Sequence, residues 1–283
     1  MPKSRKLYPS DLTDLQWKHI EKHIPNARRG GRPRTTDVRQ IVNAIFFVTR
    51  TGCAWRYLPR SYPPWPTVYE YFCKWRLRGI WKIIHENLLR QVRETIYHKN
   101  PEPSALIIDS QSIRAALGAN RGYDGFKRLR GRKRHILVDT LGLIHSVKVH
   151  AANHSDRSEG YKLFRRFPVH KESCLKAIYA DHGYRGRFVD QIKTRFGFRP
   201  KIPPLRRNSG QGRRKTAKQK LANRRLRKTP RKRWVVERTF AWFNHYRRLS
   251  KDYERNPSHS ESMVYLAMTQ LMLRRLCGMR SWV

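Results

Sequence analysis

Residues 105–109, ALIID, and residues 177–181, AIYAD, decide the fold of this chain. Each is a short apolar run closed by an aspartate, and such runs bounded by turn residues read as buried strands. Between them, His135 to Val138 reads as a second strand, Asp139 to Gly142 as a turn and Leu143 to Val149 as a third strand, in which Val147 and Val149 alternate with Ser146, Lys148 and His150. A helix is expected over Ser158 to Phe167. Leu175 to Ala180 makes a fourth strand, Arg187 to Phe196 another helix and Phe198 to Ile202 a fifth strand. Strands first, then alternating helix and strand, predict an α/β fold: a mixed five-stranded sheet with helices on its faces.

Outward from this block the pattern becomes helical. Thr13 and Gln16 fit a capping box, with Leu12 and Trp17 as its apolar staple, and Pro25 ends that helix. Thr36 is the expected cap of a helix carrying Val38, Ile41, Val42 and Ile45, stopped by Gly52. Thr67 and Glu70 fit a second capping box, opening a helix to about Arg76 that Gly79 breaks. Trp81, Ile84, Leu88 and Val92 carry one more amphipathic helix. Residues 1–100 are thus expected to form an all-helical, helix-turn-helix-like domain, and residues 101–283 a second domain that closes with a helix near Glu261 to Leu276.

The chain has 283 residues and a formal net charge of +43, from 63 Lys and Arg against 20 Asp and Glu. Self-repulsion of that size opposes compaction unless a polyanion balances it, and nucleic acid is the obvious partner. Arg206 to Arg233 holds 14 Lys or Arg and no acid, and reads as a basic insertion. Cys53, Cys73, Cys174 and Cys277 form no CxxC pair, so they are expected as reduced cysteines rather than a zinc site. No apolar run reaches the roughly 18 residues of a membrane span, and the N-terminus shows no signal-like apolar segment.

In so basic a chain the acids stand out. Asp109 and Asp181 each sit where an apolar strand ends, and a desolvated carboxylate there needs a cation. If the first and fourth strands are neighbours, the two would repel, which a hard divalent ion resolves. Glu237 is the first acid after Asp190 and opens the helical stretch WVVERTFAWFNHYRR. Asp124 and Asp156 read as loop and helix-start residues and Asp139 as a turn residue. Ser110 and Ser112 have no obvious base in the sequence, and Tyr184 stands between Gly183 and Gly186 in what reads as a turn, so none of the three is taken as a nucleophile.

Three blocks, LIIDSQSIRA, AIYADHGYRG and RWVVERTFAWFNHYRRLSKDYE, resemble the first-aspartate, second-aspartate and glutamate blocks of the DDE transposases of bacterial insertion sequences, families four and five. GRKRHILVDTLGLI and AANHSD resemble the segments between, and the blocks fall in order, 72 and 56 residues apart. The resemblance implies an RNase H-like catalytic fold, Asp109, Asp181 and Glu237 as ligands of two Mg²⁺ or Mn²⁺ ions, and cleavage and joining of DNA. It implies a cytoplasmic, nucleoid-associated enzyme that binds terminal inverted repeats and target DNA, expected as a homodimer since two ends are processed together. The family's Tyr-x2-Arg-x3-Glu-x6-Lys pattern keeps Arg233 here, whereas Pro230 and Asn244 replace its Tyr and Lys. Arg247, Arg248 and Lys251 are the basic residues that take up DNA contact in its place, with Lys74, Arg76 and Arg78 on a recognition helix over Thr67 to Arg78. The alternative from another class is a basic DNA-binding protein without enzymatic activity, such as a repressor.

Overall fold

The computed structural model describes residues 8–27, 30, 34–168, 174–203 and 229–279, with 229–233 described by backbone alone. Most of the basic insertion, 206–228, lies outside the described residues. The described residues fall into two compact units. One holds those up to Pro101, Arg114–Asn120 and those from Trp242 on; the other holds Glu102–Ile113 and those of Arg121–Ala241.

The first unit is helical. Helix α1, Asp14–Ile20, carries the expected capping box: Gln16 N–H donates to Thr13 Oγ1 at 3.2 Å, and Thr13 N–H to Gln16 Oε1 at 3.1 Å. Helix α2, Val38–Thr51, is capped by Asp37, which accepts from the amides of Arg39 and Gln40. This corrects the assignment to Thr36: a carboxylate one residue later meets the free amides directly and adds a favourable charge to the dipole. Gly52 ends α2 in the left-handed conformation, φ 73°.

Helix α3, Trp65–Leu77, starts earlier than expected and has no side-chain cap. Pro66 fixes the first turn, so Thr67 is already helical and its box with Glu70 does not form. Glu70 pairs instead with Lys74 at 2.6 Å. Helix α4, Ile80–Gln91, follows.

The sequence grouped residues 242–283 with the second domain. The described ones, 242–279, group with the helices of the first unit. Every residue from Met263 to Gln270 is buried. A helix apolar all round needs cover on every side, and α2, α3 and α4 supply it.

In the second unit, β1 spans Ala105–Arg114, β2 Gly122–Asp124, β3 Leu129–Asp139, β4 Ile144–Ala151 and β5 Ala177–Tyr179. The sheet order is β2-β3-β1-β5, with β4 also on β3. β3 runs antiparallel to β2 and β4, and β1 parallel to β5, so the sheet is mixed as expected. Its fifth member differs. Phe198 to Ile202 contributes one parallel bridge, Tyr179 to Lys201, while the glycine-flanked β2, read as loop, pairs with β3.

Helices α5, Asp156–Phe164, and α6, Arg187–Phe196, cover one face. Leu106, Ile108, Leu137 and Ile178 meet Leu163, Phe164, Phe188 and Ile192 in its core. Gly160 lets α5 sit close to the strand end: a Cβ there would lie 2.6 Å from Cε1 of Tyr184.

Helix α7, Thr229–Phe243, leaves the second unit near its end. Thr239 Oγ1 donates to Gly142 O at 2.8 Å and Arg238 to Leu141 O at 2.8 Å, fastening α7 to the β3–β4 turn. That turn is closed by Asp139, fully buried, which accepts from the amides of Leu141 and Leu143 and lies 3.3 Å from His145 Nε2. Asp139 is the turn residue its sequence context predicted.

Candidate active site

The strands that lead to the two aspartates pair in parallel. β1 pairs with β5 in the register Ala105–Ala177, Leu106–Ile178 and Ile107–Tyr179. That offset is the 72 residues separating Asp109 from Asp181. Continued two residues, the register sets the two aspartates opposite each other, and neighbouring strands lie only about 4.8 Å apart. Asp109 is inside β1 rather than past its end, because the strand continues to Arg114. Asp181 follows β5 and accepts the Gly183 amide at 2.9 Å.

Buried beneath these carboxylates is Tyr184, 1% exposed. Burial first, then the charges of Asp109, Asp156 and Asp181, hold its phenol well above the usual tyrosine range.

Alternation along β1 sorts the surroundings. Leu106 and Ile108 pack in the core with α5 and α6, and Ser110 and Ser112 follow them at alternate positions of β1. On the α5 side Ser110 Oγ donates to Asp156 at 3.2 Å and Ser112 Oγ to Asp124 at 2.6 Å. Lys133 Nζ stands 3.1 Å from Asp156 and 3.8 Å from Asp124, nearly buried. Asp156 was read as a helix-start residue, which it is, but it also stands in this acidic cluster. Only the fold brings it there, since 46 residues separate it from Ser110. Lys133 is the internal counter-cation sequence reasoning missed, one of many basic residues in GRKRH and distinguished only by its register.

Two buried histidines adjoin the cluster. His150 Nδ1 lies 2.8 Å from its own strand's Ala151 O and so carries the proton. Its Nε2 must then accept from His135 Nδ1, 2.7 Å away. This leaves His135 Nε2 bare, 3.6 Å from Asp156. Burial is the main reason both rings are held neutral: His150 falls to about 4 and His135 well below its ordinary value. The unfolded rings titrate near 6.5, so the unfolded chain binds more protons below that pH and stability falls as pH drops toward 4. His150 alone is expected to cost about 2 kcal/mol at pH 5 relative to pH 8. Urea unfolding at both pH values checks this, with His150→Gln expected to shrink the difference by about that amount and His135 accounting for the remainder.

His150, His154 and Glu159 form the one set of three candidate ligands, among the described residues, whose ligand atoms lie within 4.8 Å of one another. Two of its three members are already engaged. Lys148 and Lys162 bond Glu159 at 2.5 and 2.7 Å and, against its burial, hold its carboxyl at about 2, while His150 Nε2 is committed to His135. Asp109, Asp181 and Glu237 are spaced more widely than that set. Glu237 is exposed, at the ninth position of α7 rather than its opening turn, so it does not serve as the helix-dipole partner that an early glutamate would be.

The predicted DNA contacts divide. On α3, Val68, Phe72 and Trp75 face the core while Lys74 and Arg78 are exposed; Arg76 donates to Ser258 Oγ at 2.8 Å. Arg247 is exposed and Lys251 lies over the Tyr253 ring at 5.7 Å. Arg248 is not a surface cation. It is 8% exposed, bonded through Nε to Glu254 at 2.7 Å and through Nη1 to Cys53 O at 3.1 Å. Nor does it share a helix with Glu237, since α7 ends at Phe243. The Arg233 side chain lies outside the described residues.

Comparison with known proteins fits this arrangement. Residues 100–272 match the family "Transposase DDE domain", and residues 12–85 match "Putative transposase of IS4/5 family". The chain belongs to the DDE-domain transposases of the insertion-sequence 4/5 type. It is 30% identical over 131 residues to "Putative transposase for insertion sequence element IS402" of Burkholderia cepacia, covering 44% of this chain and 54% of that protein. It is also 30% identical over 117 residues to "Uncharacterized protein y4sN" of Sinorhizobium fredii, covering 40% of this chain and 86% of the relative. An insertion element IS402 uncharacterized 16.2 kDa protein of Burkholderia cepacia is 32% identical over 110 residues, covering 37% of this chain and 73% of the relative. Among the described residues no helix is long and apolar enough to cross a membrane.

Proposed function

We propose that the chain cuts and joins DNA at the ends of its insertion sequence, using an RNase H-like catalytic unit in which Asp109, Asp181 and Glu237 hold divalent metal. The observation that carries this reading is the parallel β1–β5 register, which, continued two residues beyond Ile107 and Tyr179, would set Asp109 opposite Asp181. Two carboxylates so placed are hard oxygen donors, the set Mg²⁺ or Mn²⁺ prefers. Support for Glu237 as third ligand comes from the helix that carries it. Helix α7 is anchored to the same sheet through the bonds of Arg238 and Thr239 to the β3–β4 turn.

Two ions held there would supply the acidity that lets water, and later a 3′-hydroxyl, attack a phosphodiester near neutral pH. The protein's own part is orientation. The β1–β5 register fixes the spacing of the aspartates, Tyr184 forms an apolar, protonated floor, and Lys133 offsets the neighbouring charges of Asp156 and Asp124. Lys74, Arg78, Arg247, Lys251 and Arg233 are the proposed phosphate contacts on terminal inverted repeats and target DNA, and the active species is a homodimer.

The test uses purified full-length chain with end-labelled inverted-repeat duplexes in Mg²⁺. Cleaved ends followed by strand-transfer products are expected, on a complex sized to two protomers. Binding with neither cutting nor joining in Mg²⁺ or Mn²⁺ would point to the non-enzymatic binder, and cutting without joining to a nuclease.

A further inference from the structure

The β2–β3 hairpin is built unlike the rest of the second unit. Gly122 pairs with Gly131, Tyr123 with Arg130 and Asp124 with Leu129, leaving Gly125–Arg128 as the tip. Phe126, at that tip, is 96% exposed, and Tyr123 on the same hairpin is 55% exposed. Lys127, Arg128 and Arg130 are also exposed. Displaying a whole phenyl ring to water forgoes the stabilisation that its burial would bring.

The tip is nevertheless held firmly. Asp124 accepts the amides of both Phe126 and Lys127 at 3.1 Å and the hydroxyl of Ser112 at 2.6 Å. Those bonds, with Lys133 nearby, hold the Asp124 carboxyl below its ordinary range although burial opposes them. At the hairpin base, a Cβ on Gly122 would lie 2.0 Å from Asn153 Oδ1, so the glycine allows a close fit. Ser112 is three residues along β1 from Asp109. At about 3.3 Å per residue, this puts the Phe126 backbone within roughly 20 Å of the aspartate pair, some six base pairs of duplex or fewer.

We infer that this hairpin is a DNA wedge, in which Phe126 inserts between or stacks on bases beside the cleaved phosphate while Lys127, Arg128 and Arg130 grip the flanking backbone. The occupant is fixed by the chemistry of the tip. An apolar ring flanked by cations matches a polyanion with stacked aromatic faces, and side chains of this kind unstack base steps. An apolar protein partner would not need the three cations, and phosphate contact alone would not need the ring. The inference rests on the proposed function only for where the DNA lies.

The test is 2-aminopurine fluorescence in duplexes of the inverted repeat, with the probe placed in turn at each position within about six base pairs of the cleaved phosphate. The full chain carries Asp109→Asn, so that no cutting intervenes. A fluorescence rise on binding is expected at one or two positions. Phe126→Ala should reduce it about tenfold, as loss of a stacked base predicts, with gel-shift affinity little changed. Phe126→Trp should keep it. Since Phe126 is almost wholly exposed, neither change should alter thermal unfolding. An equal rise with Phe126→Ala, or no rise at any position while the gel shift shows binding, would overturn the wedge. Undiminished cleavage by Asp109→Asn would instead overturn the catalytic reading and leave the fluorescence result standing.

Discussion

Replacing Asp109 or Asp181 by asparagine is expected to slow end cleavage on the order of 10³-fold, the equivalent of about 4 kcal/mol of lost transition-state stabilisation. Asparagine keeps the size and one oxygen but loses the charge, so the β1–β5 register should survive. DNA affinity in a gel shift should survive too, because phosphate contact depends on cations elsewhere. Glu237→Gln is the sharper variant for separating chemistry from folding. Glu237 is exposed on α7, so its replacement should leave urea unfolding unchanged. A comparable loss of cleavage by this variant would then assign it to the metal site, and full activity would remove it from that role.

The second large effect is on affinity. A chain of net charge +43 binding duplex DNA releases condensed counterions. With roughly 6–10 phosphates neutralised, affinity is expected to fall about 10³- to 10⁵-fold between roughly 50 and 200 mM salt. The slope also sorts the cations. Lys74→Ala and Arg247→Ala, at exposed positions, should each lower it by about one. Arg248→Ala should leave the slope alone and destabilise the helical unit, since it would strand the buried Glu254 carboxylate. Titration by fluorescence anisotropy at several salt concentrations reads the slopes. An unchanged slope for Lys74→Ala and Arg247→Ala would remove them from the DNA surface.

The parallel pairing of the strands that lead to Asp109 and Asp181 was legible, and a parallel pair preserves sequence offset. Two apolar runs with an aspartate at the same place must set those aspartates level once the strands pair from their starts. The turn role of Asp139 was legible for a similar local reason, an aspartate followed by a glycine between two strands. What escaped the sequence was non-local. Asp156 and Lys133 join the acid cluster through tertiary register, which no spacing reveals. The β2 strand is short, glycine-flanked and polar, so it lacks the apolar alternation that marks a strand. Arg248 was misplaced because helical counting was carried past Phe243. The helix stops there, and the arginine turns inward to Glu254. The α3 start was missed because Pro66, which fixes a first turn without a side-chain cap, outweighed a well-formed but unused capping pattern.

The central claim is that Asp109 and Asp181 together bind a hard divalent cation. Titration of the full chain with Mn²⁺, followed by electron paramagnetic resonance of the free ion, tests it without requiring any DNA chemistry. Saturable binding that disappears in the Asp109→Asn and Asp181→Asn variants, yet persists in His150→Gln, is the predicted result. Binding that survives both aspartate changes and vanishes with His150→Gln would contradict the account and move the metal to the histidine–glutamate group.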